Sequence, residues 1–454
     1  MSGMTVSLLL AHRGFSVGLV EAADHIAPTI RGFYREGYYF DTGFHYTGLL
    51  NREELLGRLL DQLGILEKLT CLPLEDAQGD TIICADPPFS FQFSQCLERN
   101  VESLKAAFPA ERNGIDAYFR DVRDLLAAVP NDMLRGSAAT LPMPEGAPQG
   151  DLLSYLRARI ADPRLIAVIC AHGMLYGMPP EDTSFSYHAL VAGSYYGQSY
   201  QILGGGRALA DAFEETLREA GVAMLVGRRA NAIHLNDSGA FERISLDGAD
   251  ESLAADACVF SGDPRLLPDL LPEKAFRPIY RKRLQSMQDT MSAFILFGVL
   301  PEQSAGLSGN LVLMQNLTPG VGALDAPPHD LPVFATRSCA LQGKSGVSAI
   351  CPMPVMTNGL WKLLLEDVGD NAYREWKTTT AESLRARLET QMPSIFKDIR
   401  LLDAATPRTL RRYCNSVAGA LYGAGRRVGD APILPRTRVP GLFLTGQHIF
   451  TVGI

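Results

Sequence analysis

The chain has 454 residues, 46% of them hydrophobic and 20% charged, with a formal net charge of −8. That composition excludes a disordered or fibrous protein and suits two or three domains with cores of their own. The acidic balance also argues against nucleic acid as a partner, which needs a basic stripe.

Small residues leading into an apolar run predict a helix over Ser2 to Arg13, and Gly14 stands where a left-handed residue closes it. Phe15 to Val20 follows as a short β-rich strand, ended by Glu21. Helix, glycine, buried strand and terminal acid are the second half of a dinucleotide-binding βαβ unit, where the acid accepts from a ribose hydroxyl. Of the glycines of such a unit, only Gly3 finds a match. Asn51 to Leu69 places Leu55, Leu56, Leu59, Leu60 and Leu63 on one helical face. Ile82 to Cys84 and Phe89 to Phe93 read as short strands around Asp86-Pro-Pro88, and helices are expected over Ser94 to Phe108 and Gly114 to Val129. Asn131 to Gly150, rich in Pro, Gly and Ala, is expected to be an exposed loop. Helices follow over Asp151 to Ile160 and Pro163 to Leu175, and the aromatic run Phe185 to Tyr200 reads either as the lining of an apolar tunnel or as domain core.

Gly204-Gly-Gly-Arg207 reads as a close backbone approach before a helix, Ala208 to Ala220. A strand over Val222 to Val226, a hairpin around Asn236-Asp-Ser-Gly239 and a strand over Ala257 to Phe260 come next. From Met291 the chain is β-rich: Ser292 to Val299, Asn310 to Met314, Val333 to Ala335 and Val347 to Cys351 read as strands of one sheet. A long helix over Asn371 to Gln391 and a strand over Gly441 to Gln447, ending in glycine, complete the pattern.

The order Gly3 to Glu21, then Phe40-Asp-Thr-Gly-Phe-His-Tyr-Thr-Gly48, resembles the amino-terminal region of the FAD-dependent phytoene desaturase, carotenoid isomerase and retinol saturase family. His45-Tyr46 is closer to its saturase and isomerase branch. Ile202 to Gly221, Thr406 to Gly423 and Gly441 to Gly453 resemble further stretches of the same family. The resemblance implies an α/β fold: a discontinuous Rossmann-type FAD-binding domain (residues 1–50, 200–271 and 432–454) with an interleaved α+β substrate domain (51–199 and 272–431). It implies FAD as cofactor, an apolar small-molecule substrate, and hydride and proton chemistry on a conjugated polyene, by desaturation, saturation or isomerisation. Carried over position by position, it implies cofactor contacts at Ser2, Gly3, Glu21, Ala22, Gly43, Ala230, Gly446, Gln447, Gly453 and Ile454. It also implies His45 and Tyr46 as candidate catalytic residues. Measured against the family, the chain looks cut short at both ends, inside cofactor-binding elements. One departure is Ala27-Pro28, where the family has Gly-Gly against the cofactor. Proline removes a backbone donor there, and Arg31 is a candidate for a compensating phosphate contact.

Two other readings stay open: an amine-oxidase-like flavoenzyme with another small substrate, and an inert fragment binding no flavin. Gly343-Lys-Ser345 lacks the upstream glycine of a P-loop, and no Gly-x-Ser-x-Gly elbow occurs. The eight cysteines, dispersed from Cys71 to Cys414, show no Cys-x-x-Cys or zinc spacing, so no metal is expected and a reducing compartment is implied. No signal peptide and no run of roughly 18 apolar residues is present. The expectation is a cytoplasmic protein, peripheral to a membrane at most, with the basic runs Arg277–Arg283 and Arg408–Arg412 as solvated faces or lipid-headgroup contacts.

Overall fold

In the computed structural model, which describes residues 1–133, 148–248, 252–321, 331–353, 370–425, 427–430 and 433–449, the opening helix runs Ser2–Ala11. Gly14 closes it at φ +83°, the left-handed conformation that costs glycine nothing. The strand that follows, Gly18–Val20, pairs in parallel with Ala223–Leu225. A second parallel pair joins Cys258–Phe260 to Leu442–Leu444. Both pairs reach the start of the opening helix: a β-carbon on Gly3 would lie 2.8 Å from Ser261 Oγ and 3.8 Å from Leu19 Cδ1. Parallel strands with helices packed on them are the Rossmann-type α/β arrangement.

The core of this region joins Met4 and Leu8 of the opening helix to Leu209, Phe213 and Leu217 of the helix Gly205–Glu219. Leu56, Leu60 and Leu63 enter the same core. They belong to or follow the helix Leu55–Gln62, shorter than the expected Asn51–Leu69 because Gly64 turns the chain at φ +73°. A domain boundary at residue 50, expected from sequence, therefore cuts through one shared core.

The β-rich segment forms a seven-stranded sheet in the order Arg400–Ala405, Ser292–Val299, Val347–Met353, Val333–Arg337, Leu311–Met314, Thr81–Cys84, Phe89–Gln92. Ser292 to Gly298 are all buried, as a central strand covered on both faces requires. Phe294 and Leu296 pack with Leu384 and Leu388 of the long helix Asp370–Gln391. Ala293, Ile295 and Phe297 face the other way, onto Phe40. The strand Arg400–Ala405 lacks a period-2 apolar pattern and is held by its antiparallel pairing with Ser292–Val299. Of the expected exposed loop, Asn131 to Met133 continue the helix Arg112–Met133, and 134–147 lie outside the described residues. That helix packs closely on Phe185–Gly193: a β-carbon on Gly193 would lie 2.9 Å from both Leu126 and Val122. The aromatic run is thus largely domain core, its Phe185 and Tyr196 packed with Tyr118 and Phe119.

One buried carboxylate ties the two regions together. Asp41 Oδ1 accepts from the Tyr39 hydroxyl at 2.7 Å and from the Gly206 N–H at 2.9 Å, while the Asp41 N–H donates to Ser338 Oγ at 2.8 Å. It caps the helix Gly205–Glu219 from a distant segment, satisfying a backbone donor that the helix cannot. The triple glycine is required here: a β-carbon on Gly205 would collide with the Asp41 carboxylate, and one on Gly206 with the Ile30 carbonyl. Burial raises Asp41 to about 6, against hydrogen bonds that favour its charged form.

A carboxyl raised on folding adds stability that is complete below its unfolded value, near 3.8, and is lost as pH rises through about 6. Asp41→Asn is therefore expected to flatten the stability difference between pH 4 and 6, by at most about 1.4 kcal/mol per pH unit. Asp41→Ala should lose about 2–4 kcal/mol at pH 7, with the cap gone and buried donors stranded. Urea unfolding of both variants across that range checks it.

Candidate functional site

Ser2 and Gly3 present the start of the opening helix, where unpaired N–H groups and the helix dipole favour an anion. Glu21 closes the adjacent strand; its N–H donates to the Leu225 carbonyl at 2.9 Å, and its carboxylate accepts from the Ala23 N–H at 2.8 Å. These residues line one cleft of about 2610 Å³ together with Ala22, Gly43, Ala230, Gly446 and Gln447. An ordinary small-molecule pocket holds roughly 300–1,000 Å³, so this one has room for a dinucleotide and a second molecule. Gly453 and Ile454 lie outside the described residues.

The loop after Glu21 departs from expectation. A β-carbon on Gly43 would collide with the Thr29 carbonyl oxygen. Ala27 sits at φ +56°, a left-handed conformation costing a non-glycine residue roughly 1–2 kcal/mol. Arg31 does not turn towards a phosphate. Its guanidinium pairs with Asp211 and, at 2.8 Å, with Glu214, both on the helix Gly205–Glu219, and Nε donates to the Ile26 carbonyl at 3.2 Å.

His45 and Tyr46 both line the cleft. His45 Nδ1 is buried without a hydrogen-bond partner, and burial lowers the imidazole to about 4, so it is neutral at ordinary pH. The Tyr46 hydroxyl donates to Asp80 Oδ2 at 2.7 Å. Burial, then the nearby Asp80 charge, raises Tyr46 well above its usual value and keeps it protonated. Around it the wall is aromatic and apolar: Phe334 lies parallel at 6.2 Å, Tyr195 edge-on at 4.9 Å, and Met174, Val321 and Ile350 belong to the same packed cluster.

Sequence reading missed the residues behind Tyr46. Asp80 Oδ1 accepts from Asn310 Nδ2 at 2.9 Å, and Asn310 Oδ1 accepts from Thr336 Oγ1 at 2.7 Å. His172 Nε2 lies 3.3 Å from Asp80 Oδ2. Their only sequence signal was polarity at otherwise apolar positions.

Under the far wall, Arg265 Nη2 holds the buried Asp263 at 2.6 Å and the partly buried Asp289 at 2.5 Å. The triad steadies the turn Ser261–Asp263, whose strand is bonded through Phe260 to the Thr445 N–H at 3.0 Å. No group of three or more His, Cys, Asp or Glu among the described residues could hold a metal, and none of the described helices is long and apolar enough to cross a membrane.

Comparison with known proteins decides the family: the flavin containing amine oxidoreductase family matches residues 1–453. The chain belongs to this family. It is an FAD-dependent oxidoreductase with a Rossmann-type fold. It is similar to all-trans-retinol 13,14-reductase of Danio rerio, 25% identical, and of Rattus norvegicus, 24% identical, each match covering 100% of this chain and 82% of the relative. An inactive all-trans-retinol 13,14-reductase of Danio rerio is 21% identical over 100% of the chain and 82% of that relative. Among solved structures, an oxidoreductase from Methanosarcina mazei superposes with a TM-score of 0.68 at 13% identity, covering 98% of this chain and 92% of that one. Putrescine oxidase bound to putrescine gives 0.60 at 14% identity, covering 98% and 90%. The residues present fit the cofactor: a helix start and a strand-ending carboxylate share one cleft with an unpartnered buried imidazole nitrogen.

Arg265→Met should destabilise the protein by about 3–5 kcal/mol, because a buried and a partly buried carboxylate lose their shared cation. Thermal unfolding of the variant at pH 7 checks this.

Proposed function

We propose that this flavoenzyme saturates a carbon–carbon double bond of a conjugated, retinoid-like polyene. The observation that carries the reading is the aromatic chamber around Tyr46, Tyr195 and Phe334, continuous with the cleft at the opening helix and Glu21. A rigid, apolar, conjugated chain gains burial and ring contact in such a chamber. The names of the retinol reductase relatives point the same way.

In this reading the N–H groups at Ser2 and Gly3 hold the cofactor's pyrophosphate, Glu21 its ribose, and the backbone at Ala22 and Ala230 its adenine. Gly446 and Gln447 lie against its flavin side. Bound FAD supplies hydride exchange, while the protein positions and shields it. Neutral His45 leaves the chamber without a fixed positive charge, and Tyr46 holds a proton at its hydroxyl oxygen for delivery to carbon. The polyene enters past the helix Pro407–Cys414, where Arg408, Arg412 and Tyr413 border the cleft. Tyr413 is 65% exposed and nearby Val417 43%, an aromatic and apolar edge beside cations that suits peripheral contact with an anionic lipid surface.

Holoenzyme reduced chemically under anaerobic conditions and given all-trans-retinol should yield a dihydro product by chromatography and mass spectrometry. Oxidation of a small amine such as putrescine, with no polyene product, would overturn the assignment. Glu21→Ala should weaken FAD binding about tenfold to a hundredfold, the worth of a hydrogen bond to a charged group, with the circular dichroism spectrum unchanged. Arg412→Glu combined with Tyr413→Ser should reduce cosedimentation with phosphatidylserine-containing vesicles.

A further inference from the structure

The wall behind Tyr46 holds polar groups that packing does not require. Asp80 and His172 are both buried, and neither lines the cleft; the Tyr46 hydroxyl, bonded to Asp80, does. We propose that His172 and Asp80 form a proton relay that replenishes Tyr46 during saturation of the substrate, an inference that rests on the saturation reading above.

The geometry suits a relay. The Tyr46 hydroxyl, at 2.7 Å, and His172 Nε2, at 3.3 Å, meet the same carboxylate oxygen, Oδ2. A proton arriving from one side leaves on the other without rotation of the carboxyl. Rotation is blocked in any case, since Oδ1 is held by Asn310 and the Asn310 amide is oriented by Thr336. A second buried histidine in the same helical layer shows what a satisfied one looks like. His188 has Nε2 on the Tyr118 hydroxyl and Nδ1 on the Tyr176 hydroxyl, both at 2.9 Å. His172 Nδ1 has no partner, leaving one ring nitrogen uncommitted. The groups facing the pair are Tyr46, Tyr195, Tyr196, Tyr422 and His188, with the Phe93 ring 4.9 Å from His172. Burial raises the four tyrosines and lowers His188 to about 3, so none of these carries charge near neutrality.

At rest the Tyr46 hydroxyl donates to Asp80, so its proton points away from the cleft. Transfer of a proton from protonated His172 Nε2 to Asp80 Oδ2, followed by a turn of the new O–H about its C–O bond, reverses that bond. Asp80 then donates to the tyrosine oxygen, and the tyrosine's own proton turns towards the substrate. Saturation places a hydride on one carbon and leaves an electron pair on its neighbour. That pair takes the Tyr46 proton: a C–H bond forms and the O–H bond breaks. The phenolate takes the proton of Asp80, the carboxylate is regenerated, and His172 is left neutral until solvent water restores its proton. Three transfers deliver one net proton from solvent to the substrate, and the two electrons come with the hydride that the reduced cofactor would supply and lose.

The test uses FAD-loaded wild type, Asp80→Asn, His172→Gln and Tyr46→Phe, with all-trans-retinol as substrate. The expected results are a loss of turnover of about a hundredfold in each variant, KM within twofold, and retained FAD absorbance. The pH profile of turnover should differ between wild type and His172→Gln. Wild type should also show a solvent deuterium isotope effect that shrinks in His172→Gln. A merely structural role would lower the melting temperature and leave the pH profile and isotope effect as in wild type, which overturns the relay. If Asp80→Asn fails to hold FAD, His172→Gln and the two wild-type measurements decide the matter alone. Wild type that saturates retinol while His172→Gln matches it overturns the relay only. Wild type that saturates no polyene overturns the underlying reading and the relay with it.

Discussion

The carboxylate of Asp41 sits where three distant segments meet. It holds the first turn of the helix Gly205–Glu219, the Tyr39 hydroxyl and, through its backbone, the loop at Ser338. The helix packs on the opening helix and so fixes the cofactor side of the cleft. The loop at Ser338 follows the strand Val333–Arg337, which carries Phe334 into the chamber. His45 and Tyr46 lie only a few residues beyond Asp41 along the same chain. One buried acid therefore sets the distance between the opening-helix end of the cleft and its aromatic end, at the cost of keeping a carboxyl where its charge is poorly solvated.

Much of this was legible in the sequence because it is local. The opening helix, the left-handed Gly14, the acid closing the next strand and the apolar runs of the large sheet each follow from periodicity and turn chemistry within a few residues. Other features depend on partners far along the chain. The pattern of five leucines before Leu69 suggested a longer helix than forms, because periodicity carries no penalty for Gly64. Arg31, a candidate phosphate contact by sequence, instead pairs with Asp211 and Glu214. The close approach at Gly43, where a β-carbon would meet the Thr29 carbonyl oxygen, likewise needs a partner distant along the chain.

The candidate site divides along the same line. Candidates at the opening helix, the strand end and the glycine turns could be named by resemblance, since such elements have fixed spacings. The polar wall behind Tyr46 could not. Asp80 precedes one strand, Asn310 another, and His172 follows an apolar helix. Only the parallel pairing of Thr81–Cys84 with Leu311–Met314 brings the first two together. Buried polar groups of this kind are costly unless satisfied.

The alternation along the strand Ser292–Val299 has an evolutionary consequence. Phe294 and Leu296 grip the long helix, whereas Ile295 and Phe297 border the cleft. Parity along one short stretch separates two selective pressures. Drift at odd positions resizes the space offered to a ligand, and drift at even positions tunes how firmly the scaffold holds. Paralogues with different ligand preferences could diverge at such odd positions while inheriting the same sheet.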